Sequence, residues 1–282
     1  MHKLIFANML LFISGCLMHA QTLDEVVSKH LDAMGGAKRL RAVQTMSMER
    51  VDAGDLQKGN SITTYRKRGD KFRLETIDIT PVVKMRLVQG CDGKNSWTVS
   101  GHAVGGATSE AAFADDPPTI RPADESCKSI ADINGPLLDY KTKEGSLTLA
   151  GIQKVGEADA YDVRFNSATG QHFATHFYIE KKSFLLVKVA REANGTHTED
   201  LYTDYRKVDG MMVPFLWETR WWTVRKDLVL EEKAASEKID GPEGSKKEIV
   251  KSVKFNTPLP DYLFAPPSPT TPEKKSLPAA KK

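Results

Sequence analysis

Beyond its amino terminus this 282-residue chain has no apolar run approaching the about 20 residues that cross a bilayer as a helix. Net charge is also scarce. The formal total is +3, but Lys3 contributes one positive charge and residues 266–282 hold four lysines against one glutamate, which leaves the body between them near −1. That is no electrostatic footprint for nucleic acid. Catalytic signatures are missing as well: no G-x-S-x-G, H-E-x-x-H or phosphate-loop pattern occurs, and Gly93-Lys94 lacks both the following Ser/Thr and the preceding glycine. His172 and His176 suggest a metal, yet residues four apart on a strand sit about 13 Å from each other. They are read as two histidines on an outer face, and neither a metal nor a cofactor is expected. Only two cysteines, Cys91 and Cys127, lie beyond Gln21.

What is present begins with MHKLIFANMLLFISGCLMHA, a basic end followed by an apolar stretch and small residues, the pattern of a secretory signal over residues 1–20. Two cleavage readings stand side by side. Ile13-Ser14-Gly15-Cys16 has the form of a lipobox, with cleavage after Gly15 and lipid on Cys16; Met18-His19-Ala20 offers an ordinary site after Ala20. Both predict an exported, periplasmic protein, anchored to a membrane in the first case. In that compartment disulfides persist, so Cys91 and Cys127 are candidates for pairing, against the alternative of two separate buried thiols. A bridge closing a loop of this length would stabilise the fold by about 4 kcal/mol on the chain-entropy model.

Thr22 and Glu25 have capping-box spacing ahead of Leu23, Val26, Val27, His30, Leu31 and Met34, which predicts an amphipathic helix ended by Gly35-Gly36; a second helical piece is expected over 37–43. Strand patterns follow near 45–51, 61–66, 71–79, 82–91 and 96–99. Residues 101–122 read as a loop, and 123–141 as mostly helix broken at Gly135-Pro136. A second group of strands is expected at 146–155, 160–166, 172–180, 184–191, 197–207, 211–223 and 248–256. Asp209-Gly210 favours the positive φ angles of a tight hairpin between two of them. Pro214 cannot donate to a ladder, which predicts an edge or a bulge there. The charged stretch 226–247 reads as an exposed hairpin, 261–264 as the last docked element and 266–282 as a Pro/Lys-rich tail with nothing to bury. The fold class is mainly β, with residues 21–265 as its domain.

Alternate residues of a strand face opposite sides of a sheet, so Val213, Phe215, Trp217 and Trp221 share a face, as do Tyr161 with Val163, Phe173 with Phe177, and Val187 with Val189. Together with Trp97, these residues either fill a core or line an apolar cavity beneath a helical cover. An acyl chain of roughly 16 carbons, at about 0.8 kcal/mol per buried methylene, would supply on the order of 12 kcal/mol gross. A carrier of such a chain needs no catalytic group. Glu199, Asp200 and Asp204 are read as solvated outer-face charges in preference to a general-acid cluster of a hydrolase, and Asn194-Gly195-Thr196 as a hairpin turn rather than a glycosylation site.

In order along the chain, LDEVVSKHLDAMGGAKRLRAVQTM, CDGKNSW, LTLAGIQKVGEADAYDVRF, FYIEKKSFLLVKV, DYRKVDGMMVPF and VKFNTPLPDYLFAPP resemble outer-membrane lipoprotein-sorting proteins of the LolA/LolB-like superfamily, over roughly residues 22–267. The resemblance implies a curved antiparallel sheet forming an incompletely closed β-barrel of about eleven strands, with helices as a lid over an apolar cavity. It implies lipid or the acyl chains of a lipoprotein as ligand, carried in lipoprotein sorting, with a membrane or envelope protein as a further candidate partner. It also implies an arginine on an early strand that helps hold the lid, for which Arg66, Arg68 and Arg73 are all counterparts. The alternative on the same fold is an envelope sensor whose cavity is filled by its own side chains and whose partner is another protein.

Overall fold

A computed structural model describes residues 21–54, 60–80, 83–104, 113–133, 135–166, 175–193, 195–223 and 242–267. The signal segment with Cys16, Phe173, His172, Asn194, most of the charged stretch after Thr223 and the tail from 268 lie outside these residues.

The amino-terminal helix α1 (Leu23–Ala33) starts at the capping box: the Thr22 hydroxyl accepts from Glu25 N at 3.3 Å, and the Glu25 carboxylate accepts from Thr22 N at 2.8 Å. Its Val26, Val27 and His30 are buried. Gly35 and Gly36 turn the chain into α2 (Ala37–Ala42). The first meander follows as β1 (Thr45–Asp52), β2 (Ser61–Lys67), β3 (Lys71–Ile79), β4 (Val83–Asp92) and β5 (Asn95–Val104). Two short strands, β6 (Ala114–Asp115) and β7 (Thr119–Pro122), pair with β5 in the stretch expected to be loop. Helix α3 (Glu125–Ala131), capped by Asp124, and a 3-10 turn at Tyr140–Thr142 separate this meander from the second. The second comprises β8 (Ser146–Val155), β9 (Ala158–Asn166), β10 (Thr175–Glu180), β11 (Leu186–Ala193), β12 (Thr196–Val208), β13 (Met211–Thr223) and β14 (Gly244–Phe255).

All these strands form one antiparallel sheet of 14, in the order β6-β5-β4-β3-β2-β1-β14-β13-β12-β11-β10-β9-β8, with β7 beside β6 on β5. The sheet does not close, because β8 ends one side while β5 and its short partners end the other. It is an incompletely closed barrel with helices on one face. Its strand number exceeds the expected eleven because every strand-patterned run pairs and β6 and β7 are added.

Each meander is local, since consecutive strands are neighbours, but the two are joined by the ladder of β1 against β14, some two hundred residues apart in sequence. Asp209 and Gly210 take φ values of 49° and 80°, the left-handed pair of a tight hairpin between β12 and β13. Pro214 is not at an edge: β13 lies inside the sheet. Instead β13 pairs with β14 only from Leu216 to Trp221, so the ladder ends before it reaches the residue that lacks a donor.

One face of the sheet carries the helices. The opposite face of the first meander is covered by the carboxy-terminal segment, where Phe264 is fully buried and its carbonyl accepts from Trp97 Nε1 at 2.8 Å. Trp97 lies flat across its cross-strand partner Gly90, where a Cβ would sit 2.2 Å from the indole. Gly90→Ala is therefore expected to push the indole off the Phe264 carbonyl and cost about 1–3 kcal/mol, the range for overpacking a filled site. Urea unfolding followed by Trp fluorescence checks it; an unchanged midpoint would contradict this packing.

Candidate functional site

The pairing register fixes which side chains share the helix-covered face. At the β8 end, Val26 of α1 packs into a cluster with Leu147, Tyr161, Val163, Phe177, Ile179 and Val189. In the centre Met46, Met48, Val213, Val250 and Val253 form a second cluster, with Phe215, Trp217 and Ile133 against it. Near the other edge Phe72, Cys91, Cys127 and Ala131 form a third, and Cys127 of α3 is bonded to Cys91 of β4, their Cα atoms 6.2 Å apart. Tyr161, Phe177, Val213, Phe215 and Trp217 thus share one face.

Three members of the sequence-derived set sit elsewhere. Trp97 points away from the helices, because its partner Gly90 alternates with Cys91 and because the carboxy-terminal segment supplies its cover. Val187 is the extra residue of a bulge in β11, with Tyr178 opposite Lys188 and Ile179 opposite Leu186, so Leu186 takes its place against the cluster. Trp221 shares the parity of Trp217 but lies at the far end, 38% exposed, with its indole across Gly244.

The face also holds charge that composition does not announce. Arg50 pairs with Glu248 (2.9 Å), and its guanidinium lies over the Trp217 ring, 4.1 Å from the centroid. Tyr202 meets the same indole edge-on at 5.1 Å, and Trp217 Nε1 donates to Pro214 O at 3.0 Å. Asp200, read from sequence as a solvated outer-face charge, is on this face: it accepts from Thr219 Oγ1 at 2.7 Å and pairs with Arg191. Burial pulls the Arg50 and Arg66 guanidinium pKa values down from the usual arginine range, and pushes the Tyr202 phenol up. A parity signal existed in TMSMER, where Arg50 continues the alternation of Met46 and Met48. Glu199 does face the other way: burial alone would raise its carboxyl, but hydrogen bonds from His197 and Lys188 bring it down to about 2. His176 is on that outer face too, with Nδ1 2.8 Å from Asp162. No group of three His, Cys, Asp or Glu able to hold a metal occurs among the described residues.

Of the three arginines on early strands, Arg73 stacks toward Trp97 on the opposite face and Arg68 donates to the Val43 and Arg41 carbonyls. Arg66 is the one that faces the helices, opposite Met46 and Phe72, and it feels the charge of Asp132 at the end of α3.

Exposed pairs at the rim join parts of the helical cover to one another. Asp24 of α1 is bonded to Tyr140 and Lys141, and Arg41 to Asp139 at 2.6 Å, all of them exposed. Such pairs contribute little, about 0–1 kcal/mol each. A shallow depression of about 520 Å³ beside Gln44, Lys67 and Pro258 lies apart from the aromatic set.

No family model matches this chain, and no curated protein is similar to it in sequence. Among solved structures it is similar to a LolA superfamily protein, NE2245, from Nitrosomonas europaea, at 12% identity over 87% of this chain and 98% of that one, with a TM-score of 0.39. A domain assigned to outer membrane lipoprotein sorting from Vibrio parahaemolyticus matches at 10% identity, over 85% and 94% of the two chains, with a TM-score of 0.39. A DUF1329 family protein from Desulfovibrio piger matches at 12% identity over 87% and 98%, with a TM-score of 0.38.

Inside the cover, α1 is anchored by His30, whose Nδ1 donates to Phe184 O at 2.8 Å. Burial lowers the pKa of this imidazole from its ordinary 6.5, and the carbonyl offsets that only in part. The unfolded chain therefore binds the proton more readily, so stability is full above pH 6.5 and falls as pH drops below it. Thermal unfolding is expected to decline between pH 7 and pH 5, with a shallower decline in His30→Gln. Equal slopes in the two proteins would contradict the assignment.

Proposed function

We propose that this protein is an exported, periplasmic binding protein or carrier for a lipid or the acyl chains of a lipoprotein, received between the sheet and its helical cover. The observation that carries the reading is that large apolar side chains stand open on the covered face beyond its lid, spaced by polar ones. Leu87 and Met85 follow Cys91 at the same parity on β4 and are 40% and 53% exposed; at the far end of β13 Trp221 is likewise open. Large apolar side chains left beside a closed lid extend the inner clusters outward in a direction an acyl chain would follow. The Cys91–Cys127 bridge keeps α3 attached to the sheet whatever happens to the rest of the cover.

The reading needs no reactive group. The buried carboxylates of the face, Glu248 and Asp200, are each engaged by an arginine, which gives them a structural use. The likeness to lipoprotein-sorting structures agrees in kind with this proposal, which stands on the residues themselves.

Leu87→Glu and Trp221→Glu place charge on already exposed positions and should leave the β-rich circular dichroism unchanged. Each is expected to weaken binding of a fluorescent fatty-acid probe roughly tenfold or more, the scale of losing one large apolar contact of 1.5–3 kcal/mol. Titration of the probe into folded wild type and variants decides: wild-type affinity in both variants would remove this face from the function, and partner capture without probe binding would favour the sensor reading.

A further inference from the structure

We infer that Arg66, on the same face as Arg50 and Tyr202, receives the oxyanion headgroup of an amphiphile whose apolar chain lies on that helix-covered face. This rests on the acyl-chain reading given above and names the ligand's polar end. Arg66 stands where an apolar side chain would pack best, between Met46 of β1 and Phe72 of β3. Its Nε is buried without an acceptor, and among the described residues no carboxylate lies within ion-pair distance of it.

The neighbouring charges do not supply one. Glu248 is taken by Arg50 and Lys246, Asp200 by Arg191 and Thr219, and Asp132 by Lys143 at 2.5 Å. These three acids are therefore committed to other partners, and none of them pairs with Arg66. Arg50, Asp132 and Tyr202 all act on Arg66 electrostatically, without pairing with it, and Arg50 is held in place by its stacking on Trp217. A buried Nε–H without an acceptor is costly, and a fold with no use for it would gain by an apolar residue here. A phosphate or carboxylate would complete the planar fork of Arg66, which matches either group with two parallel hydrogen bonds. Trp217 and Tyr202, packed edge to face on the same side of the sheet, offer an apolar wall along which the attached chain would run. The arrangement selects an anionic amphiphile over a neutral one of equal length.

The test titrates the purified, folded protein by calorimetry with dodecyl phosphate, dodecanol and inorganic phosphate, the amphiphiles below their micelle-forming concentrations. Dodecyl phosphate is expected to bind roughly tenfold or more tighter than dodecanol, and inorganic phosphate only weakly. Arg66→Gln should abolish the preference and leave dodecanol binding intact, while Arg66→Lys should retain part of it. Equal affinities for the two amphiphiles in wild type would overturn the headgroup assignment and leave the acyl-chain reading standing, as would a folded Arg66→Gln that keeps the preference. That comparison in wild type decides even if Arg66→Gln does not fold. Inorganic phosphate binding as tightly as dodecyl phosphate would place a free anion at Arg66 and overturn the amphiphile. If neither amphiphile binds, the acyl-chain reading falls and the headgroup site with it.

Discussion

The ladder of β1 against β14 is the constraint on which the architecture depends. Each meander can form from neighbouring strands, but the central cluster of Met46, Met48, Val213, Val250 and Val253 needs both. Joined along this seam they make one continuous face. The seam is not uniform. Its register shifts between Glu49 and Arg50, and the residue at the shift is the arginine that pairs with Glu248 of β14 and stacks on Trp217 of β13. One guanidinium thus links three strands across the join. A buried pair of this kind adds little net stability, because desolvation offsets its attraction, but it penalises any other register strongly by leaving a charge without its partner.

From the seam outward the two faces diverge in chemistry. The helix-covered face is apolar except at its centre, and its cover is attached by means of very different strength. Exposed pairs at Asp24 and Asp139 contribute weakly, His30 contributes a buried hydrogen bond, and the Cys91–Cys127 bridge is covalent. The opposite face of the first meander is instead sealed by the carboxy-terminal segment through Phe264 and Leu259, with Lys67 reaching the Leu259 carbonyl and Asp261.

Local features were legible in the sequence because their causes are local. The Thr22–Glu25 capping box, the Asp209-Gly210 hairpin and the alternation Val213, Phe215, Trp217 each specify their own geometry within a few residues. The cover of a given strand face is not local. Trp97 and Val99 alternate as cleanly as the inner residues do, and only Phe264, 167 positions away, decides that they belong to the other side. Charge was misleading for the related reason that a polar residue is solvated by default. Asp200 is held inside by Thr219 and Arg191, partners that its own strand does not reveal. Pro214 was read as marking an edge or a bulge; its strand lies inside the sheet, and the ladder to β14 stops at Leu216, short of it. The fold class and the aromatic face followed from periodicity, whereas the polar centre of the site depended on pairings between distant strands.

The central claim is that the space between sheet and cover holds an acyl chain. Native mass spectrometry of the protein purified without detergent from the cells that make it, followed by organic extraction of the same sample, tests this most directly. The account predicts an added mass that leaves on extraction and appears in the organic phase as a lipid or an acylated peptide. A folded protein of bare polypeptide mass, with nothing extractable and no uptake of added lipid, would contradict it.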